Sequence, residues 1–534
     1  MLSPLLAVLT APAWATTLHV DPAGGGDVLT IADASALLAD GDTLVLSEGD
    51  HTGCLRLDGR SLTIEGQGAE LTRWTAGACT EQVRARDGES VTLRGLTLSN
   101  PSGRAVAVLG GVLLMEDVAV VDSGDPGIDG GGVWVRTGES VLRRVVFEGN
   151  QARLGGGFYP WDGGSATLED CTFRNNHATE QGGGAYANGG VAGSILRTTF
   201  DNNSSDDVSG GLGWHLGTLE IWDSVFEGNT AAVNGGAVYA HHATAPIVIA
   251  HTRFVANTAS AGRGGALYGA YGSTFALTDT SFADNSATQG ADLAIFESAL
   301  VLDRAVSTGA IADEGGLLWL SPGAEADLHD VAVCGVDAAG ALLWSGGTAT
   351  LNNVLVHDGD GVGIVVEAGR TEARQVGLST LRGGGLSVFE GASALLQNSV
   401  MVDVIGGTTV DSLGELDLGH NTWWALDDEG ATPGDGSLRM DPRWVGGDDC
   451  ALSIALPTAT SPLVDAGDPT VLDPDGTRSD IGPWGGPGSP MVDGDGDGAW
   501  TVQDCDDDEA TVFPGAEEVP ADGVDQDCDG MDSG

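Results

Sequence analysis

Lysine is missing from all 534 residues, so the 22 basic side chains are arginines, set against 77 Asp and Glu for a formal charge of -55. Such a surface repels nucleic acid and anionic lipid and concentrates divalent cations. Aromatic residues make up only 5%. The hydrophobic fraction of 41% is nevertheless enough to offset the entropy of ordering the chain, which excludes wholesale disorder. Beyond the N-terminal stretch no apolar run is long enough to span a bilayer. Basic residues are absent before Arg56, so the apolar stretch Leu2 to Trp14 has no basic start, yet Ala13-Trp14-Ala15 has the small-x-small form of a cleavage site. Residues 1–15 are therefore expected to be a signal peptide and the chain to be exported. The seven cysteines suit an oxidising compartment, with one left unpaired in the monomer. Cys54 with Cys79 and Cys505 with Cys528 are the expected pairs, and the partners of Cys171, Cys334 and Cys450 stay open.

What the chain has in abundance is glycine, 85 residues, much of it inside a repeat. Phe147, Phe173, Phe200, Phe226, Phe254 and Phe282 follow one another at 26, 27, 26, 28 and 28 residues. Three residues after each comes an asparagine, Asn150, Asn176, Asn203, Asn229, Asn257 and Asn285, and then glycines such as Gly155 to Gly157, Gly182 to Gly184 and Gly235-Gly236. Short β-branched runs of this kind cannot bury a face alone, so successive units must stack. Stacking in register sets each Phe above the last, aligns the Asn amides into ladders and uses glycine at corners of positive φ. The motif fades downstream, but Val331, Val354, Val376 and Val400 keep a rhythm of 22 to 24 residues. Residues 55–445 would then form about 15 coils, a rod of roughly 70 Å at the spacing of parallel strands. Residues 30–48, with Ile31, Leu37 and Leu38 on one side of a short amphipathic segment, are expected to cap the open end, within a cap region of residues 16–54.

The Phe-x-x-Asn and Gly-Gly-Ala repeats resemble those of polymorphic outer-membrane proteins within the pectin-lyase-like class. That resemblance implies an all-β, right-handed, single-stranded parallel β-helix, a solenoid with a short N-terminal cap helix. The runs Ser461 to Gly467 and Asp480 to Gly482 are similar to the ends of many secreted bacterial β-helix proteins, which marks residues 446–490 as the closing segment. Members of the class range from polysaccharide-cleaving enzymes to adhesins, so fold does not fix function.

Composition changes again at residues 491–534. Asp493, Asp495 and Asp497 precede Gly498, and Asp504 falls at the twelfth position, which is the spacing of a calcium loop with Asp for the usual Glu. Alternate carboxylates supply hard oxygen ligands, the Ala499 carbonyl adds another, and Asp504 closes the shell. Asp525, Asp527 and Asp529 before Gly530 repeat the first half of the pattern. The expected cofactor is therefore Ca2+, in a small acidic C-terminal module, with a plain solvated acidic tail as the alternative. Asp504 to Asp507, Pro514 to Glu517 and Asp522 to Gly530 also resemble the MopE-type metal-binding motif.

Signs of catalysis are few. A lyase of this class needs a carboxylate cluster and an arginine or lysine base. Asp206-Asp207 and Asp448-Asp449 are adjacent pairs whose side chains diverge on a strand. None of the ten histidines precedes a glycine, so the His-Gly signature of polygalacturonase-like enzymes is missing. His357-Asp358-Gly359-Asp360 and His241-His242 fit turn and loop positions, and Cys171 fits a small core position. Tyr159, Tyr186, Trp214, Tyr239 and Tyr268 share one phase after the glycines. Facing outward they would form a platform for sugar rings, and facing inward they would be core. The expectation is a secreted or cell-surface calcium-binding β-helix with a structural, adhesive or glycan-binding role. Its partners would be calcium and extracellular polysaccharide or cell-surface components, and the alternative is a pectate-lyase-like polysaccharide-active enzyme.

Overall fold

The computed structural model describes residues 15–86, 88–405, 408–410, 414–426, 434–445, 450, 456–457 and 461–489, and in the tail 505, 506, 508–513, 516, 519 and 523–528. The expected signal peptide lies outside these residues, apart from Ala15. The chain divides into two compact units, Met1–Leu219 and Glu220–Gly534. Each is an all-β solenoid whose coil strands pair in parallel with their counterparts in the neighbouring coils, and in the second unit Trp444–Val445 and Leu456–Pro457 form a separate antiparallel pair. No helix among the described residues is long and apolar enough to cross a membrane.

The first unit begins with a strand at Thr17–Val20 and one helical turn, Ile31–Ser35, whose N-cap Thr30 accepts a hydrogen bond from the Asp33 N–H at 3.1 Å. Ile31, Ala34 and Leu38 are buried, but Leu37 is 63% exposed. The cap thus buries a narrower face than expected, because the helix ends at Ser35 before its period can bring Leu37 inward. Coils then stack in register, as where Val112–Val121 meets Ser90–Ser99 on one side and Val112–Glu116 meets Glu139–Arg143 on the other. Phe147 pairs with Phe173 and Phe173 with Phe200, their rings stacked at 4.6 and 4.7 Å. The fully buried Asn150 gives its Nδ2–H to Asn176 Oδ1 at 2.9 Å, and Asn176 does the same to Asn203. Each amide also donates to a main-chain carbonyl on a neighbouring coil, Asn176 to Phe147 O at 3.0 Å, so the corner keeps no orphaned polar atom on these side chains.

The second unit repeats the plan. Phe226, Phe254 and Phe282 stack at 5.1 and 5.4 Å, and Asn229, Asn257 and Asn285 form the ladder. That ladder ends on a carboxyl group: Asn285 Nδ2 donates to Asp292 Oδ1 at 2.9 Å, and the Ser307 hydroxyl bonds the other oxygen where the preceding coils carry Phe. Burial pushes the Asp292 carboxyl up to about 7. Val331 pairs with Val354 and Val354 with Val376, but Val400 pairs with Gly377, so the expected rhythm slips by one residue there.

Alternation explains how one coil bends. In Ser90–Ser99, Val91 and Leu93 point inward, Gly95 takes φ +58, and Leu96 and Leu98 point inward again. One left-handed residue resets the period-two pattern, so two flat runs of strand meet at a corner with their apolar residues on the same side.

Candidate functional site

The corner set by Gly95 recurs in the coils that follow it, and its next occupants carry charge. In the first unit Asp117, Arg144, Asp170 and Arg197 hold φ between +47 and +54, and in the second Asp223, His251, Asp279, Arg304 and Asp330 hold +48 to +54. Left-handed backbone is costly for residues other than Gly, Asn and Asp, so an arginine there needs a compensating gain. The gain is ionic. Arg144 grips Asp117 at 2.7 and 2.9 Å, Arg197 grips Asp170 at 2.7 and 3.1 Å, and Arg304 grips Asp279 at 2.8 and 3.0 Å. His251 takes an arginine's place between Asp223 at 3.6 Å and Asp279 at 3.3 Å. The guanidinium partners hold the Asp117, Asp170 and Asp279 carboxyls below their ordinary range. Sequence reasoning passed over this column, although its signal was there: each charged residue from Arg144 to Asp279 stands three positions before a landmark Phe.

Further along the second unit the corner residues become amides, Asn353, Gln375 and Asn398, at φ +53, +50 and +52. All three are buried, and the closing segment lies on them. Asn353 Nδ2 donates to Pro483 O at 2.9 Å and Gly485 O at 3.1 Å, and Asn398 Oδ1 accepts from the Asp468 N–H at 2.7 Å. Leu463, Ile481 and Val400 form the apolar seam beneath, and Cys334–Cys450 adds a disulfide. A charge buried at these corners would lose its hydration, whereas an amide can be satisfied by main-chain carbonyls. Within the closing segment Asp480 accepts from the Asp465 N–H at 2.7 Å, and burial raises Asp480 to about 7 and Asp473 to about 6.

The aromatic phase resolves into stacked columns at the second residue of successive strands. In the first unit Trp134, Tyr159 and Tyr186 align, and Tyr159 and Tyr186 stack at 5.6 Å with planes 9° apart. In the second unit Tyr239 and Tyr268 align and stand 5.2 Å apart, with Trp319 in the same cluster. Tyr159 and Tyr186 are only 3% and 4% exposed, so the rings face one another and the glycine turns rather than solvent. Of the two alternatives the sequence left open, an outward platform for sugar rings or an inward-packed column, Tyr159 and Tyr186 fit the packed one. Trp214 does not join the column: it pairs with Ala187 and points inward against Gly193, while Gly213 stands opposite Tyr186. A slip of one residue moves a side chain to the other face.

Asp303, His329 and Asp330 bring one ligand atom each within 4.8 Å of one another. His329 Nδ1 lies 3.0 Å from Asp330 Oδ2 and 3.6 Å from Asp303 Oδ1. Burial raises the Asp330 carboxyl, and Arg304 holds Asp303, so a guanidinium already supplies positive charge to the group. The other sequence candidates scatter. His177 approaches Asp206 at 3.4 Å, while Asp207 is raised by burial. His357 Nδ1 bonds the Ser379 hydroxyl at 2.8 Å, and Arg382 pairs with Asp360 and Asp358. His241 stacks on Tyr239 at 4.7 Å and His242 on Tyr271 at 5.3 Å. Cys171 is buried and unpaired, its thiol pushed up to about 11 by burial, which suits a core residue and not a nucleophile. Asp448 and Asp449 lie outside the described residues.

Both expected disulfides are present, Cys54–Cys79 and Cys505–Cys528. The second closes the tail, where the Phe513 N–H bonds Gln526 O and the Val519 N–H bonds Gln526 Oε1 at 2.9 Å. It sets the carboxylates that follow Cys505, Asp506 and Asp508, on the same staple as Asp525 and Asp527. Asp493, Asp495, Asp497, Ala499, Asp504 and Asp529 lie outside the described residues.

Residues 81–276 match a family model described as "Right handed beta helix region", and residues 504–533 match the Cu-binding MopE model, described as "Putative metal-binding motif". The chain is thus an all-β, right-handed parallel β-solenoid with a distinct C-terminal module bearing a metal-binding, cysteine-containing motif. No curated protein is significantly similar to the chain in sequence. Among solved structures, pectin methylesterase PemA from Erwinia chrysanthemi is 14% identical over 42% of this chain and 80% of its own, with a TM-score of 0.27. The catalytic unit of a thermostable GH87 alpha-1,3-glucanase from Streptomyces thermodiastaticus is 14% identical over 80% of this chain and 71% of its own, with a TM-score of 0.33. Likeness at that level carries no argument about chemistry.

The motif match corrects the expected cofactor. Its family is a copper-binding one, so calcium is not carried forward. Alternating aspartates announce a carboxylate cage, but they do not select the ion. With both cysteines oxidised, the charged donors among the described tail residues are carboxylates, a set without the soft ligands Cu(I) prefers. Cu(II) accepts oxygen donors and heads the affinity order of first-row divalent ions, so these residues fit the oxidised ion.

Proposed function

We propose that this chain is a secreted or cell-surface scaffold, with a structural, adhesive or glycan-binding role, whose C-terminal module binds copper. The observation that carries this reading is the corner column. Groups that a hydrolase or lyase would aim at a substrate, arginines beside carboxylates, are here spent on one another along the stack, as in Arg197 with Asp170 and Arg304 with Asp279. The aromatic rings are likewise committed to their neighbours. A surface built this way favours rigidity over turnover. The export expected from the apolar N-terminus, the disulfides and the resemblance to polymorphic outer-membrane repeats support an extracellular setting. Copper would be held by carboxylates of the tail, such as Asp506, Asp508, Asp525 and Asp527.

The test is retention of the labelled full-length chain on immobilised cell-wall polysaccharides and on intact cells, with and without Cu(II). Saturable retention that leaves the polysaccharide intact is expected. Release of shortened saccharides would replace this reading with the polysaccharide-active enzyme.

A further inference from the structure

The first unit holds one place where arginines gather without matching partners. Leu55–Arg56 and Glu81–Arg86 are adjacent parallel strands whose register puts Arg56 directly beside Arg84. Like charges placed opposite each other on neighbouring strands are destabilising. In a chain with 22 basic and 77 acidic residues, such a pair is also easily avoided. Arg56, Arg84 and Arg86, with Asp58 and Glu89, line a pocket of about 130 Å³. Cys54–Cys79 ties together the segments that lead into the two strands and so fixes the spacing of the wall.

The lining carboxylates do not neutralise these guanidiniums. Glu89 spends its oxygens on the main-chain N–H groups of Gly59 and Arg86, the latter at 2.6 Å. Asp58 is exposed, at φ +48. Arg84 reaches Glu81 through Nη1 at 3.1 Å, but its Nε is buried with no hydrogen-bond partner. Among the described residues the Arg56 and Arg86 guanidiniums have no ion-pair partner, unlike the arginines of the corner column.

We propose that this pocket binds a single sulfate or phosphate group. Arginine presents donors in a rigid fork that matches oxyanions, and here three such groups, Arg56 on one strand and Arg84 and Arg86 on the next, line a single small pocket. The volume is well under the roughly 300 Å³ at which pockets for whole drug-sized ligands begin, so the site takes one group and not an entire ligand. That group is either a free ion or an ester on a larger molecule. The inference is independent of the scaffold reading.

The test is calorimetry on the full-length chain with sodium sulfate and with inorganic phosphate, against sodium chloride at matched ionic strength. Saturable heat from sulfate or phosphate but not from chloride is expected, weakened at least tenfold in Arg56→Gln/Arg86→Gln. Those side chains are outward-facing, and a melting curve checks that the variant folds. Asp58→Asn, which removes a rim carboxylate, should tighten binding several-fold and gives a second reading if the arginine variant does not fold. A sulfated disaccharide that binds more tightly than both free sulfate and its desulfated counterpart identifies an ester, and equal affinity for ester and free sulfate identifies the ion. Equal heats from sulfate and chloride, or affinity unchanged by the arginine substitutions, overturn the proposal.

Discussion

Arg304 stands one coil from Asp279 at the same left-handed corner and clasps it through both arms, Nε to Oδ1 at 2.8 Å and Nη2 to Oδ2 at 3.0 Å. The geometry is bidentate, but both groups are open to solvent, and exposed pairs contribute about 0.2–1 kcal/mol. A double-mutant cycle on Arg304→Gln and Asp279→Asn should return a coupling in that range that shrinks in molar salt. Coupling that is independent of salt would mean the pair acts through packing instead.

His251 is the weak rung of the same column, reaching its carboxylates at 3.6 and 3.3 Å where the arginines reach theirs at 2.7 to 2.8 Å. His251→Arg should therefore raise the melting temperature by a degree or two, because a guanidinium can clasp a carboxylate through two donors at shorter range. An unchanged melting temperature would mean that the longer His251 contacts already supply what the arginines do.

The Asn ladder contributes more, because it is buried. Asn176→Ala would take a partner from one N–H of Asn150 Nδ2, whose other N–H keeps Val120 O, and from the Asn150 main-chain N–H and Phe147 O. Each stranded group costs about 1–3 kcal/mol, so a total loss of about 3 kcal/mol or more is expected in denaturant unfolding of the unit. Asn202→Gly, one residue outside the ladder on an exposed corner at φ +51, should cost under about 1 kcal/mol.

The Phe and Asn columns were legible in the sequence because their identity repeats from coil to coil. The corner column was not, because its residues alternate in sign: Arg144, Asp170 and Arg197 share a position and a role but no side-chain class. Trp214 misled for a different reason. A glycine-rich turn leaves the phase of the next strand open by one residue, and that residue decides in from out. Cys334 and Cys450, 116 residues apart, are joined only because the closing segment returns across the coils, which no local pattern announces. Aspartate spacing marked the tail as a metal module, but it could not choose among ions that all accept carboxylate oxygen.

Asp292 makes stability depend on pH in the sense opposite to an ion-paired carboxylate. Its folded value of about 7 lies above the ordinary 3.8, so between those limits the folded chain holds a proton that the unfolded chain has released. The stabilisation is complete below about pH 4 and is lost as pH rises through about 7, and Asp480 and Asp473 add to the same slope. Asp292→Asn keeps the contacts to Asn285 and Ser307 without the titration. Melting temperatures measured from pH 4.5 to 8 should fall less steeply in the variant, and an unchanged slope would assign the effect to the closing segment. Below about pH 4 the trend reverses, as Asp117, Asp170 and Asp279 lose their charge and with it their arginine partners.

Copper binding should belong to the tail. Cu(II) titrated into the full-length chain should saturate, and Asp525→Asn/Asp527→Asn should weaken the affinity at least tenfold without shifting the melting of the coils. Equal affinity in the variant would move the site elsewhere, with Asp303, His329 and Asp330 as the next group to substitute.

The central claim is that the coil surface holds ligands without transforming them, and calorimetry with polysaccharide as the injectant tests it most directly. Binding gives heats that decay to zero as sites fill, whereas turnover gives a steady heat flow after every injection. The scaffold account predicts the saturating pattern, with the polysaccharide recovered at its original length. Steady heat flow and shortened chains would contradict it.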